Sequence, residues 1–409
     1  MSTIEGCRIC NSRSLRPVLS FGNMPLVNAL LTEDELDQGE KTYPLDLVFC
    51  TDCFLLQITE TVDPGILFSN YLYFSSFSDT MVDHSRQLAE SIIDTRLLGP
   101  GSLVVEIASN DGYLLKHYRE RGVPVLGVEP AVNVAEVAVR NGVPTVCDFF
   151  SDRLAASLAE QGKADVIHAH NVLAHVADLH GVVRGIRRLL KDDGIAVIEV
   201  PYAREMIDKC EFDTIYHEHL CYFSLHPLVQ LFQLHRMVIT GVEVVDIHGG
   251  SLRLTASPAG ERPVTGTQVE SVLEEELVWG VSSGIPYSRF AATARSRQDE
   301  IIEAVTSLKK EGFRLAGYGA AAKGCVLLNS CRIGREHLDF VVDRSKYKQG
   351  RYMPGNHLPI LPPSALLEEM PRYVLLLSWN FAPEILEQQA EYRKKGGHFI
   401  IPVPELSVV

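Results

Sequence analysis

Two Cys-x-x-Cys steps, Cys7 and Cys10 in CRIC and Cys50 and Cys53 in CTDC, stand 39 residues apart near the start of this 409-residue chain. Each step lets two thiolates reach one tetrahedral ion, and the two together complete a four-sulfur zinc site with no open position for water or substrate. The metal is therefore expected to be structural. Around it the sequence reads as short strands and turns with little helical periodicity, a segment too small to bury much core. Zinc capture contributes on the order of 10 kcal/mol to folding such a segment. The competing reading is two unrelated pairs of free or disulfide-bonded thiols, of which the disulfides require an oxidising compartment. MSTIEGCRIC shows no basic start followed by an apolar run, and no stretch approaches the ~20 apolar residues of a membrane span. The cytosol, where thiols stay reduced, is the expected location. Cys147, Cys210, Cys221, Cys325 and Cys331 lack ligand spacing and read as core residues.

The length suits two or three domains, and 46% hydrophobic with 22% charged residues is an ordinary globular balance. A formal net charge of -14 opposes general capture of nucleic acid or anionic lipid, so neither is an expected partner. From about 80 to 257, apolar runs such as SLVVEIA, VPVLGVE, GVPTVCDFF, ADVIHAHN and IAVIEVP alternate with helical patterns. That alternation predicts parallel strands with helices on both faces. ASPAGERPVTG, at 256–266, reads as a linker, followed by long helical patterns and a second alternating series, FRLAGYG, HLDFVVD, YVLLLSW and HFIIPVP. The expectation is an α/β protein in three parts: 1–70, 71–257 and 258–409.

In VVEIASNDGYLL, Glu106 ends the first strand of the second part, and a loop of small and polar residues closes on Gly112 before a helix. Such a turn lets backbone approach a ligand. Glu129, seventeen residues past Gly112, ends the next strand, where a carboxylate accepts hydrogen bonds from ribose hydroxyls. Asp148 and Phe149 in CDFF end the third strand, placed to hold an adenine. A dinucleotide site asks for G-x-G-x-x-G, whereas ASNDG keeps only the final glycine and adds a carboxylate, Asp111. A cationic amino group suits that loop better than phosphates do, and the three positions together fit S-adenosylmethionine. A domain of this type without the cofactor remains the alternative. In the third part, LAGYGAAAKGCVLLN is a strand, a turn with Gly317 and Gly319, and a helix start with Lys323, a pattern that favours a diphosphate. A full NAD site, with Asp343 ending the next strand, is the competing reading. YKQGRYMPG adds Lys348 and Arg351 as anion contacts or as a solvated basic turn. SWNF, with Trp379 and Asn380, ends another strand at the cleft.

CRIC, CTDC, EIASNDG, NVLAHV and YHEH, in this order, make the whole chain resemble the three-domain, zinc-containing sugar-nucleotide C-methyltransferases of deoxysugar and antibiotic biosynthesis. The resemblance implies an N-terminal zinc domain, a central class I S-adenosylmethionine methyltransferase domain and a C-terminal Rossmann-like domain. It implies a dTDP-linked 4-keto sugar as partner, methylated at C-3, and a C-terminal domain that clamps the sugar nucleotide without a redox cofactor. It places Glu106, Asn110, Glu129, Asp148, Asn171 and Tyr71 at the cofactor. A monomer or weak homo-oligomer is expected.

IYHEHLCYFS, at 215–224, lies beyond IAVIEVP on the loop side of the sheet, where ligands bind in open α/β folds. Carbon methylation needs a proton removed from the carbon beside the ketone, a task for a neutral imidazole. His219 is the candidate base; Glu218 orients an imidazole or a sugar hydroxyl, Tyr216 hydrogen-bonds the keto oxygen, and His175 assists. The resemblance supports the same four positions. HEH as a metal site lacks a third ligand, and a satisfied buried polar knot is the other alternative. His168 and His170 read as packing or hydrogen-bonded residues, and His217 carries no assignment. The competing functions are an O- or N-methyltransferase on a similar sugar and a catalytically dead sugar-nucleotide-binding protein.

Overall fold

The structure is a computed structural model, and it describes residues 1–68, 74–77, 79–247, 249–260 and 265–409. Its N-terminal part is built on the strands Leu15–Pro25 and Thr42–Cys50, longer than the short strands expected, paired antiparallel and continued by Leu56–Ile58. The fourth strand of that sheet comes from far along the chain. Cys221–Tyr222 pairs antiparallel with Gln57 and Leu56, directly after the YHEH stretch. The zinc-ligand segment is thus joined by main-chain hydrogen bonds to the loop expected to hold the base.

The central part is a seven-stranded sheet in the order 237–245, 251–258, 190–201, 164–170, 104–107, 125–128, 145–146. Numbered within the domain, that is 6-7-5-4-1-2-3. The five inner and far strands are parallel, while the strand Ser251–Pro258 runs antiparallel to both of its neighbours. Strand order reverses between Val104–Ile107 and Ala164–His170, so the loops after these two strands open the crevice in which doubly wound sheets bind ligands. The alternating apolar runs are the buried strands: every residue of Val104–Ile107 is buried, as parallel strands covered on both faces require.

The segment read as a linker from 256 begins inside the last strand, since Ala256, Ser257 and Pro258 pair with Ile239, Val238 and Met237. The next helix, Thr267–Trp279, still packs on the central part. Its buried Glu276 accepts the backbone N–H groups of Leu225 (2.6 Å) and His226 (3.2 Å), capping the helix Leu225–Leu234. After the helix Ile285–Lys310 comes a six-stranded sheet in the order 360–361, 341–342, 315–318, 373–376, 398–401, 407–408, parallel except for its final strand. Its reversal point lies beside the loops that follow Leu315–Tyr318 and Tyr373–Leu376. Among the described residues no helix is long and apolar enough to cross a membrane.

Candidate active site

The four cysteine sulfurs lie within 4.8 Å of one another, with Cys7 to Cys53 at 3.4 Å and Cys10 to Cys50 at 3.5 Å. Four ligands at ~2.3 Å around a tetrahedral zinc stand about 3.8 Å apart, so the donor set fits the ion. It also calls for a cation: the Cys53 thiol draws the Cys7 pKa down to about 5, while burial pushes Cys10 up to about 12. Such thiols cannot all ionise side by side without a positive charge between them. Among the described residues this is the one group of metal-ligating side chains close enough to share an ion.

The loop after Val104–Ile107 has three left-handed residues in alternation, Ala108 (φ 53°), Asn110 (φ 48°) and Gly112 (φ 82°). The sequence shows glycine at only the last of them, yet the backbone curls at all three. Asn tolerates this region through local hydrogen bonds: its Oδ1 accepts the N–H of Asp111 (3.0 Å) and of Ser75 (2.9 Å). The Asn110 N–H donates to Glu129 Oε2 and that of Ala131 to Glu129 Oε1, both at 2.9 Å. Ser76 donates its hydroxyl to Asp111. Burial, then the nearby Asp111 and Glu129 charges, holds the Glu106 carboxyl well above the usual range, and burial raises Glu129. Glu106 Oε2, Asp111 Oδ1 and Asn171 Oδ1 are buried without a hydrogen-bond partner among the described residues. A carboxylate-lined cradle with open acceptors fits the ammonium and sulfonium of S-adenosylmethionine and repels phosphates. Asn171, itself left-handed at φ 55°, ends the strand Ala164–His170 across the crevice. Asp148 and Phe149 lie exposed after the third parallel strand. Tyr71 lies outside the described residues.

The YHEH loop is held from every side. His217 Nε2 donates to the Pro44 carbonyl at 3.1 Å, which removes that nitrogen from metal binding, and Asn28 donates to Glu218 Oε1 at 2.7 Å. The Leu220 N–H meets the Ala174 carbonyl at 2.7 Å, and its own carbonyl accepts the Ile58 N–H at 3.1 Å. His219 Nδ1 donates to the Thr214 carbonyl at 2.9 Å, so the Nε2 lone pair faces the Tyr216 hydroxyl at 3.0 Å. The His175 ring stands edge-on to His219 at 4.8 Å, and burial lowers its pKa to about 4, keeping it neutral. Tyr216, His175 and His219 therefore meet in one place, while the neighbouring Glu218 carboxyl is engaged by Asn28. Asn28 and Thr214 complete the loop's support and were not found in the sequence; Asn28 lies 190 positions from its partner with no motif around it.

His168 and His170 are hydrogen-bonded, as expected, in a chain from the Tyr118 hydroxyl (2.8 Å) through His168 and His170 (2.9 Å) to Glu199, which Arg253 and His84 also hold. In the third domain Gly319 is left-handed at φ 99°, tight against Ser378, and the Ala320 N–H donates to Asp343 at 2.8 Å, the same arrangement as Asn110 and Glu129. Lys323 does not lie open at its helix start: its ammonium is 3.6 Å from the buried Glu211. Arg351 reaches the Leu30 carbonyl at 3.5 Å, and Lys348 the Ala320 carbonyl at 2.8 Å.

Two outcomes follow from this geometry. A Cβ at Gly112 would stand 2.8 Å from Val143 Cγ2 at a φ that L-residues avoid; Gly112→Ala is expected to cost about 1–3 kcal/mol of stability and to weaken S-adenosylmethionine binding in calorimetry. Unchanged affinity would contradict the placement of this loop. Burial pushes the Glu218 carboxyl up to about 7, against the Asn28 hydrogen bond and the Lys348 charge. A carboxyl raised on folding gives stability that is full below its unfolded pKa of ~4.3 and is lost as pH rises through the folded value. Glu218→Gln should therefore gain thermal stability on the parent between about pH 5 and pH 8, by about 3 kcal/mol at most; parallel pH profiles would refute a protonated, buried Glu218.

The comparisons agree with this architecture. A domain model described as zinc binding matches residues 7–68, a methyltransferase domain matches 82–235, and a C-methyltransferase C-terminal domain matches 246–404. C-methyltransferase NovU of Streptomyces niveus is 37% identical over 407 residues, spanning 99% of this chain and 97% of that one. Among solved structures, the PH0226 protein of Pyrococcus horikoshii aligns over 49% of this chain and 100% of its own, at 14% identity and a TM-score of 0.37. Magnesium protoporphyrin IX methyltransferase of Synechocystis with bound S-adenosylmethionine aligns over 44% and 82%, at 16% identity and a TM-score of 0.33. With a four-cysteine zinc domain, a class I methyltransferase sheet and a matching C-terminal domain across its length, the chain belongs to the S-adenosylmethionine-dependent C-methyltransferases.

Proposed function

We propose that this C-methyltransferase acts in the cytosol on C-3 of a nucleotide-linked, dTDP-type 4-keto-deoxysugar, with His219 as the base that forms the enolate. The observation that carries the reading is the His219 hydrogen-bond pattern: the Thr214 carbonyl fixes the proton on Nδ1 and leaves Nε2 as an acceptor beside a phenol. A base whose tautomer is set by a backbone carbonyl is prepared to take a proton from carbon. O- or N-methylation needs only a heteroatom deprotonated and gives no reason for a phenol paired with that base.

S-adenosylmethionine, when bound, supplies a methyl group on positively charged sulfur. Glu106, Asn110, Asp111, Glu129 and Asn171 would hold it, with Asp148 and Phe149 at the adenine. The Tyr216 O–H, turning from His219 to a keto oxygen, would stabilise the charge that develops there as His219 Nε2 takes the C-3 proton. The C–H electron pair would become the enolate and then the new carbon–carbon bond, the methyl–sulfur bond breaking with its pair left on sulfur as a neutral thioether. Glu218, protonated near neutrality, can donate to a sugar oxygen, and neutral His175 packs against the base without repelling its positive form. The crevice brings carbon and methyl donor together, and that proximity supplies much of the remaining rate.

Carbon-13 NMR with methyl-labelled S-adenosylmethionine and a panel of dTDP-4-keto-deoxysugars, with and without a C-3 amine, should give a carbon-bound methyl signal. His219→Asn should bind both ligands and lose about 10²–10⁴-fold in turnover. A methyl on oxygen or nitrogen would overturn the carbon chemistry, and near-normal turnover in the variant would overturn the base.

A further inference from the structure

The turn that enters the catalytic loop, Phe212–Thr214, carries Asp213, and Glu211 immediately precedes it. Both carboxyls are buried. Asp213 has no exposed surface; its Oδ2 accepts the indole N–H of Trp379 at 2.7 Å, and its Oδ1 has no hydrogen-bond partner among the described residues. Glu211 Oε2 is 3.6 Å from Lys323 Nζ, and the same ammonium lies 4.5 Å from the centre of the Trp379 ring. Trp379 follows the strand Tyr373–Leu376, and Lys323 starts the helix Ala322–Ser330. Both therefore come from the reversal point of the C-terminal sheet and grip a turn of the methyltransferase domain. One residue past Asp213, Thr214 offers the carbonyl that receives the His219 Nδ1–H.

Two buried carboxyls are an expensive way to hold an interface together. A well-packed apolar pair of similar volume is commonly as stable, so the polar contact needs another reason to exist. Geometry supplies one. An indole N–H and an ammonium can meet these carboxylates in few arrangements, and each arrangement sets the direction of the next peptide group. At 3.6 Å from Glu211 the Lys323 ammonium forms an ion pair, and it has no hydrogen-bond partner among the described residues.

We propose that Trp379 and Lys323 are positioning residues for the base: by holding Glu211 and Asp213 they fix the Thr214 carbonyl, and through it the tautomer and orientation of His219. The C-terminal domain then sets the catalytic loop as well as enclosing the substrate. The proposal rests on the reading of His219 as base, but its test does not need turnover.

The test uses the full-length, zinc-loaded protein with nitrogen-15-labelled histidine, the His219 ring signals being assigned by their absence in His219→Asn. The parent should show one tautomer, protonated at Nδ1. Trp379→Phe, which keeps the ring but removes the N–H donor, and Lys323→Met should show a mixture of tautomers, and Lys323→Arg should restore the parent pattern. Calorimetric affinity for dTDP should stay within about twofold in all three. An unchanged His219 pattern together with dTDP affinity lowered about tenfold would overturn the proposal and make Lys323 a diphosphate contact. An unchanged pattern with unchanged affinity would also overturn it and leave the cluster a structural pair. If Lys323→Met does not fold, Trp379→Phe decides alone. Activity of His219→Asn reports separately on the base reading, so the two failures are distinguishable.

Discussion

A two-residue strand ties the YHEH loop to the zinc domain. Cys221 and Tyr222 pair with Gln57 and Leu56, and nothing so short is stable by its own hydrogen bonds. Its support runs back to the four thiolates. Arg8, lying between Cys7 and Cys10, donates through its backbone N–H to Gln57 Oε1 at 3.1 Å and through its guanidinium to the Ile58 carbonyl at 2.6 Å. His180 of the methyltransferase domain donates to the Ile9 carbonyl inside the same Cys-x-x-Cys step at 2.9 Å. The zinc domain therefore forms one wall of the proposed active site. Once the four sulfurs are gathered, the strand 56–58 is fixed, the YHEH loop is fixed against it, and Asn28 and Pro44 meet Glu218 and His217.

The same loop is approached from the other two domains. Ala174, at the crevice of the methyltransferase sheet, receives the Leu220 N–H, and Trp379 with Lys323 reach the preceding turn from the C-terminal sheet. A base built on a loop is ordinarily less well placed than one on a helix or strand. Here contacts from all three domains meet on one short stretch, which would give the loop the positional accuracy that the proposed proton transfer demands. The cofactor cradle follows different physics. Burial, and then the neighbouring Asp111 and Glu129 charges, raise Glu106, and a bound cation would relieve that repulsion.

Much of this was legible in the sequence because it is local. Cys-x-x-Cys needs only its own spacing, and alternating apolar runs announce buried parallel strands whatever they pack against. Glu129 and Asp343 were found because each ends the strand after a small-residue loop, and each accepts an N–H from that loop as the fold requires. Contacts between remote segments were hidden. No pattern links Asn28 to Glu218, Trp379 to Asp213, or Lys323 to Glu211, which lies 112 positions earlier. Ala108 and Asn110 concealed a loop conformation that glycine would have advertised, since a left-handed φ is uncommon for residues that carry a Cβ. The first three residues of the segment read as a linker, 256–258, instead end a strand, because Pro258 sits where its missing N–H costs no ladder hydrogen bond.

Hydrogen exchange before and after zinc chelation tests the central dependence most directly. The amides to follow are those of Ile58 and Leu220, which bond to Leu220 and Ala174, read against the amides of the strand Val104–Ile107 in the methyltransferase sheet. If the metal holds the catalytic loop, chelation removes protection from Ile58 and Leu220 together while the methyltransferase strand keeps its own. Retained protection at Leu220 in a zinc-free protein whose N-terminal sheet has opened would show that the loop stands without that support, and would contradict the account.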